Sequence, residues 1–184
     1  MAAGGSLNLT DLISVRDGVL TPDECAQIIR AFEDRAELTQ HHDTPGYRFR
    51  QLDCNATDLG TLAKEFVGVL LPHIRDYFKL RGFDRFVSPD HFENVRIKKY
   101  EPGTGDQFKI HIDAADKGSA IRYLVFILYL NDNDGETSFP MLGQSVKPKA
   151  GRLVMFPPFW MFPHVGQPPT DRAKYIMMSA LHHA

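Results

Sequence analysis

Ile121-Arg122-Tyr123-Leu124-Val125-Phe126-Ile127-Leu128-Tyr129-Leu130 is the run whose reading decides the fold. It is rich in β-branched and aromatic residues and stops at the turn cluster Asn131-Asp132-Asn133-Asp134-Gly135, so it reads as a strand. Alternation puts Ile121, Tyr123, Val125, Ile127 and Tyr129 on one face and Arg122, Leu124, Phe126 and Leu128 on the other. Working outward, Phe92–Tyr100, Arg152–Phe156 and Lys174–Leu181 have the same character, with Pro102-Gly103 and Lys149-Ala150-Gly151 as punctuation.

The first half of the chain has a different period. Residues 1–20 read as a polar lead-in. Thr21-Pro22-Asp23-Glu24 then combines a capping threonine, a proline suited to the first helical position and a glutamate that closes a capping box. The helix it opens carries Cys25, Ile28, Ile29 and Phe32 and is expected to reach about Glu37. Gln40–Gly46 is loop chemistry and Tyr47–Leu52 a short strand. A second helix is expected over Asp58–Leu80, with Leu59, Leu62, Phe66, Leu70, Ile74 and Phe78 on its apolar face and a kink or break at Pro72. Strands following two helices argue for an α+β chain that is mainly β, a closed or double-sheet barrel braced on one side by helices.

Composition narrows the possibilities. With 184 residues, 43% of them hydrophobic, the chain is expected to form a single domain, with 1–90 as a helical support region and 91–184 as the β-barrel core. A net charge of -2 with interspersed signs leaves no basic footprint for nucleic acid. The longest apolar run, Leu124–Leu128, is too short to span a membrane. Residues 1–12 show neither a cationic nor an apolar leader segment, so the expectation is a soluble, cytoplasmic protein. Cys25 and Cys54 read as buried thiols in a reducing compartment, with a single bridge as the alternative.

The chemistry concentrates in His111-Ile112-Asp113, His164 and Lys174. Two imidazoles and one carboxylate leave half of an octahedral site open, the ligand set of non-heme Fe(II) oxygenases. The H-x-D triplet alone is weak, because it recurs at His41-His42-Asp43, assigned to a solvated surface loop. The pair at 111 and 113 follows Phe108-Lys109-Ile110, and residues two apart on a strand share a face. A barrel could bring His164 beside them.

The second half resembles the Fe(II)/2-oxoglutarate dioxygenase superfamily, in its prolyl 4-hydroxylase-like branch. The stretches that carry the resemblance are Lys99-Tyr100-Glu101-Pro102-Gly103, His111-Ile112-Asp113, Tyr129-Leu130-Asn131-Asp132, Gly135–Pro140, Val146–Gly151 and His164 through Lys174. More loosely, Gly18–Cys25 resembles the start of such domains. The resemblance implies a double-stranded β-helix (jelly-roll) in which His111, Asp113 and His164 hold Fe(II) and act as the catalytic triad. It implies 2-oxoglutarate as cosubstrate, with ascorbate as reductant, and oxidative decarboxylation to succinate and CO2 coupled to hydroxylation of a C–H bond by dioxygen. Lys174 would pair with the far (C5) carboxylate of 2-oxoglutarate, with Arg172 as the alternative cation. Tyr129 would hydrogen-bond the same carboxylate, and Tyr100 would lie near the C1 end. Arg172 sits in a polar turn, whereas Lys174 opens the apolar run Tyr175-Ile176-Met177-Met178, where a lysine needs a partner.

Thr137 and Phe139 read as barrel packing, Gly103 and Gly105 as a tight turn, and Phe159, Trp160 and Phe162 as a packed loop rather than a groove wall. His182 and His183 read as solvent-facing. The segments Ala114–Ile121 and Leu80–Asp90 are compact, whereas larger members of the family use such loops to clamp peptides. The expected substrate is a prolyl or other amino-acid residue of a peptide or protein. The competing readings are a small-metabolite hydroxylase, a catalytically silent metal-binding module and a cupin-like metal enzyme that needs no 2-oxoglutarate.

Overall fold

In a computed structural model, residues 7–183 are described. Residues 1–6 of the expected lead-in therefore lie outside the described residues; the rest forms a 3-10 turn, Leu9–Leu12, and the strand β1 (Ser14–Arg16). The helix α1 (Pro22–Glu33) starts as its sequence dictates. Thr21 Oγ1 accepts from Glu24 N, and the Glu24 carboxylate accepts from Thr21 N at 2.7 Å. A 3-10 turn at Ala36–Leu38 replaces the helix's expected last turn. Next come β2 (Gln40–Asp43), β3 (Tyr47–Asp53) and α2 (Gly60–Leu80), which runs unbroken through Pro72. The second half supplies β4 (Arg96–Tyr100), β5 (Gln107–His111), β6 (Arg122–Tyr129), β7 (Thr137–Phe139), β8 (Gln144–Val146), β9 (Arg152–Phe156), β10 (His164–Gly166) and β11 (Lys174–His182).

The strands pair in the order β1-β9-β6-β11-β4-β3-β5-β10-β7-β8, with β2 on β3, and every pairing is antiparallel. The sheet curls into a nearly closed jelly-roll barrel, the mainly β fold expected. The region 1–90 supplies the two helices and also β1, β2 and β3, of which β3 covers the strand expected at Tyr47–Leu52.

Period-2 alternation divides the core in two. Leu124, Phe126 and Leu128 of β6 pack with Ile97, Leu153, Met155 and Met177 against Phe66, Leu70 and Ile74 of α2 and Ile28 and Phe32 of α1. The opposite face, Val125, Ile127 and Tyr129, fills the barrel with Phe49, Tyr100, Phe139, Val154, Phe156 and Ile176. Tyr123 departs from the expected alternation and packs on the helix side, touching Phe78. The β6–β11 register shifts between Leu181 and His182, and a bulge there reverses the side to which nearby residues point. Cys25 and Cys54 are free and buried in the helix-side core. Among the described residues no helix is long and apolar enough to cross a membrane.

Candidate active site

Antiparallel pairing of β5 with β10 sets His164 directly opposite His111, with the ring centroids 4.2 Å apart. β5 ends at His111, and Asp113 lies just beyond it. Its backbone is fixed from two sides: Arg122 of β6 donates to Asp113 O at 2.7 Å, and Ala114 N donates to Pro158 O at 3.1 Å. Asp113 Oδ1 is 3.7 Å from His111 Nε2, and Oδ2 is 3.4 Å from His164 Nε2. One ligand atom from each residue falls within 4.8 Å of the others.

The hydrogen bonds around this cluster show what it lacks. His111 Nδ1 meets Lys109 O at 2.7 Å and His164 Nδ1 meets Phe162 O at 3.1 Å. A carbonyl only accepts, so each Nδ1 carries a proton, and in the neutral tautomer this fixes, Nε2 turns its lone pair inward. Burial depresses the His164 imidazolium, which keeps that ring neutral. Asp113 Oδ2 is buried with no hydrogen-bond partner. Two lone pairs and an orphaned carboxylate oxygen converging on one point repel unless a cation stands between them. The donor set fits a divalent metal with open coordination positions. Packing sets the ring planes: Phe108 stacks on His111 at 3.5 Å, and Phe156 meets His164 edge-on at 4.8 Å.

From the triad a narrow slot runs into the barrel between Tyr100, Ile127, Tyr129, Thr137 and Ile176, and Lys174 stands among its walls. Lys174 is only 2% exposed. Its Nζ donates to Gly135 O at 3.0 Å and to Gln167 O at 2.8 Å and sits 4.6 Å above the Tyr100 ring. Two of its three protons are thereby used, and no carboxylate of the described residues forms an ion pair with it. Burial pushes the ammonium down to about 7. Tyr129 Oη donates to Thr137 Oγ1 at 2.6 Å, and burial raises its phenol. A slot with electron-pair donors at one end and a half-satisfied ammonium along it suits an anionic chelator.

The structure brings together His111, Asp113, His164, Lys174, Tyr129 and Tyr100. It does not bring Arg172: that side chain is 66% exposed and pairs with Asp171 at 3.0 Å. It sits in the polar turn before β11, two residues ahead of Lys174. Tyr100 lies opposite Lys174 in register, so its ring underlies the ammonium as well as approaching Asp113. His41-His42-Asp43 is strand β2 rather than a loop, and the His42 ring packs on Phe49 at 5.0 Å. Phe162 packs in the barrel as expected, whereas Trp160 is exposed. Sequence reasoning missed two polar lining residues. Thr137 is the hydrogen-bond partner of Tyr129, and Lys98 shares the inward face of β4 with Tyr100. For Lys98 the signal was available, since it stands two residues before Tyr100 on one strand.

The family model described as 2OG-Fe(II) oxygenase superfamily matches residues 95–182. A comparison with curated proteins returns no match. Among solved structures, the viral collagen prolyl hydroxylase of Paramecium Bursaria Chlorella virus-1, in its 2OG complex, superposes with a TM-score of 0.71 at 20% identity, covering 94% of this chain and 97% of that one. A prolyl-4-hydroxylase of Pseudomonas putida gives 0.70 at 17% identity, covering 94% and 93%. A prolyl hydroxylase of Trichoplax adhaerens, in complex with a hypoxia inducible factor oxygen degradation domain peptide fragment, gives 0.74 at 15% identity, covering 94% and 84%.

Proposed function

We propose that His111, Asp113 and His164 hold Fe(II) in a 2-oxoglutarate-dependent hydroxylase acting on a prolyl or other amino-acid residue, a reading supported by the match of the 2OG-Fe(II) oxygenase superfamily model to residues 95–182. The observation that carries this reading is the convergence of three electron-pair donors, one of them an orphaned carboxylate oxygen, beside a slot whose buried ammonium has no carboxylate partner. When bound, iron and 2-oxoglutarate supply the oxidising chemistry: decarboxylation to succinate and CO2, coupled to hydroxylation of a substrate C–H bond by dioxygen.

The protein's part is to bind, orient and keep dry. The carbonyls of Lys109 and Phe162 fix both imidazole tautomers before any metal arrives. Lys174, with one ammonium proton unused, would hold the C5 carboxylate of 2-oxoglutarate, with Tyr129 as a neighbouring polar wall. The flat ring of Tyr100 and the apolar Ile127 and Ile176 exclude water from the slot, which strengthens the ion pair. The prolyl preference is supported by the relatives of this fold, one of them complexed with a peptide fragment.

The test is an anaerobic titration of metal-free protein with Fe(II) and then 2-oxoglutarate, following the visible iron-to-keto-acid charge-transfer band. The band should appear in wild type and vanish in His164→Ala with the far-ultraviolet dichroism unchanged. Iron binding without the band would remove the 2-oxoglutarate assignment, and failure to bind iron would remove the triad assignment.

A further inference from the structure

Lys98 is a second buried lysine of the barrel, and it is 7% exposed. It lines the slot and also the wide cleft outside it, a volume of about 730 Å³ that opens over His111 and Asp113. Its Nζ lies 4.3 Å from the Phe49 ring centroid and 5.5 Å from that of Phe108. The other cations nearby are already engaged. Glu93 takes Arg96 at 3.3 Å and Arg122 at 2.5 Å, and Lys174 is held by two carbonyls. Lys98 has neither a hydrogen bond nor an ion pair with any described residue.

The Lys98 side chain is buried but its unpartnered ammonium reaches the cleft, where solvent or a ligand must complete it. Burial pushes Lys98 down to about 8 against the pull of Asp113, so it remains mainly protonated at neutral pH. Asp113, however, is the carboxylate committed to the metal. On the same wall, His42 Nε2 is buried with no hydrogen-bond partner, and its ring shares Phe49 with Lys98. The cleft wall thus presents one free ammonium flanked by the aromatic faces of Phe49 and Phe108. A phosphate would draw on several free donors; a single ammonium suits a carboxylate.

We propose that Lys98 anchors a carboxylate of the primary substrate over the triad, so that the molecule hydroxylated is an acid. The inference rests on the reading of His111, Asp113 and His164 as the iron site. The carboxylate comes either from a free amino acid or from an acidic residue beside the target in a peptide.

Calorimetric titrations of the Zn(II)-loaded, 2-oxoglutarate-saturated protein separate these sources. The probes are L-proline against L-prolinamide, and acetyl-Pro-Glu-amide against acetyl-Pro-Gln-amide. At least one carboxylate-bearing member should bind about tenfold tighter than its amide twin, and the pair that shows it identifies the source. In Lys98→Met and Lys98→Gln the preference should shrink to within about twofold, with 2-oxoglutarate affinity unchanged. The proposal is overturned if no probe binds, if neither pair discriminates, if the preference survives both variants, or if the variants lose 2-oxoglutarate affinity instead. The same pairs titrated into metal-free protein keep the two readings apart. If 2-oxoglutarate fails to bind but the charge preference persists there and depends on Lys98, the iron reading falls and the carboxylate anchor stands.

Discussion

At the scale of single residues, the site is decided by which polar atoms lack partners. Lys174 satisfies two protons on Gly135 O and Gln167 O and keeps one. Lys174→Met should therefore raise the apparent KM for 2-oxoglutarate by at least about tenfold, the worth of a charge-assisted hydrogen bond, while Fe(II) affinity is retained. Arg172→Ala should leave that KM unchanged, because its guanidinium is exposed on Asp171. The pH dependence follows from the same burial. With the free-state ammonium at about 7, Lys174 is charged at lower pH and 2-oxoglutarate affinity is at its plateau. Above that value binding must take up a proton, so affinity falls by at most about tenfold per pH unit. Calorimetry at pH 8 in buffers of different ionisation enthalpy should show proton uptake that disappears in Lys174→Met. Release of protons, or none exchanged, would contradict the assignment.

At the scale of elements, the decisive event is the β5–β10 pairing that sets His111 against His164. A three-residue strand such as β10 shows no periodicity to a reader of the sequence, and β2, β7 and β8 were equally invisible. Their hydrogen bonds come from neighbours distant in the chain. The turn before β7 adds a further constraint. A Cβ on Gly135 would stand 2.8 Å from Gln167 O and 3.1 Å from Lys174 Nζ, so the close approach that holds the ammonium requires glycine. Gly135→Ala should displace Lys174 without touching the triad. We expect a KM for 2-oxoglutarate raised about tenfold and unchanged iron binding, with loss of about 1–2 kcal/mol of stability in urea. A normal KM in this variant would mean that the lysine needs no such cradle.

At the scale of the whole molecule, one curled sheet carries two cores, and the helices act on the site only through the outer one. Leu70, fully buried in α2, packs in that helix-side core. Leu70→Ala should cost about 2–5 kcal/mol, read as a lower urea midpoint, with KM for 2-oxoglutarate unaltered in the folded fraction. A shifted KM would show that the helices set the slot. The sequence by itself determined the α1 cap at Thr21, the strands β6, β9 and β11, the mainly β class and the order of the candidate ligands, and its family resemblance pointed to the tyrosines beside them. Those features are written in local chemistry: a capping box, a two-residue period, and ligand types in a characteristic order. Only the tertiary structure decided that Arg172 stays outside, that α2 passes through Pro72 unbroken, that His41-His42-Asp43 is a strand, and that Thr137 and Lys98 face the site. Each of these depends on which distant backbone pairs with which and on what remains unsatisfied after pairing. Burial and partnership are properties of the assembled barrel, and no window of sequence contains them.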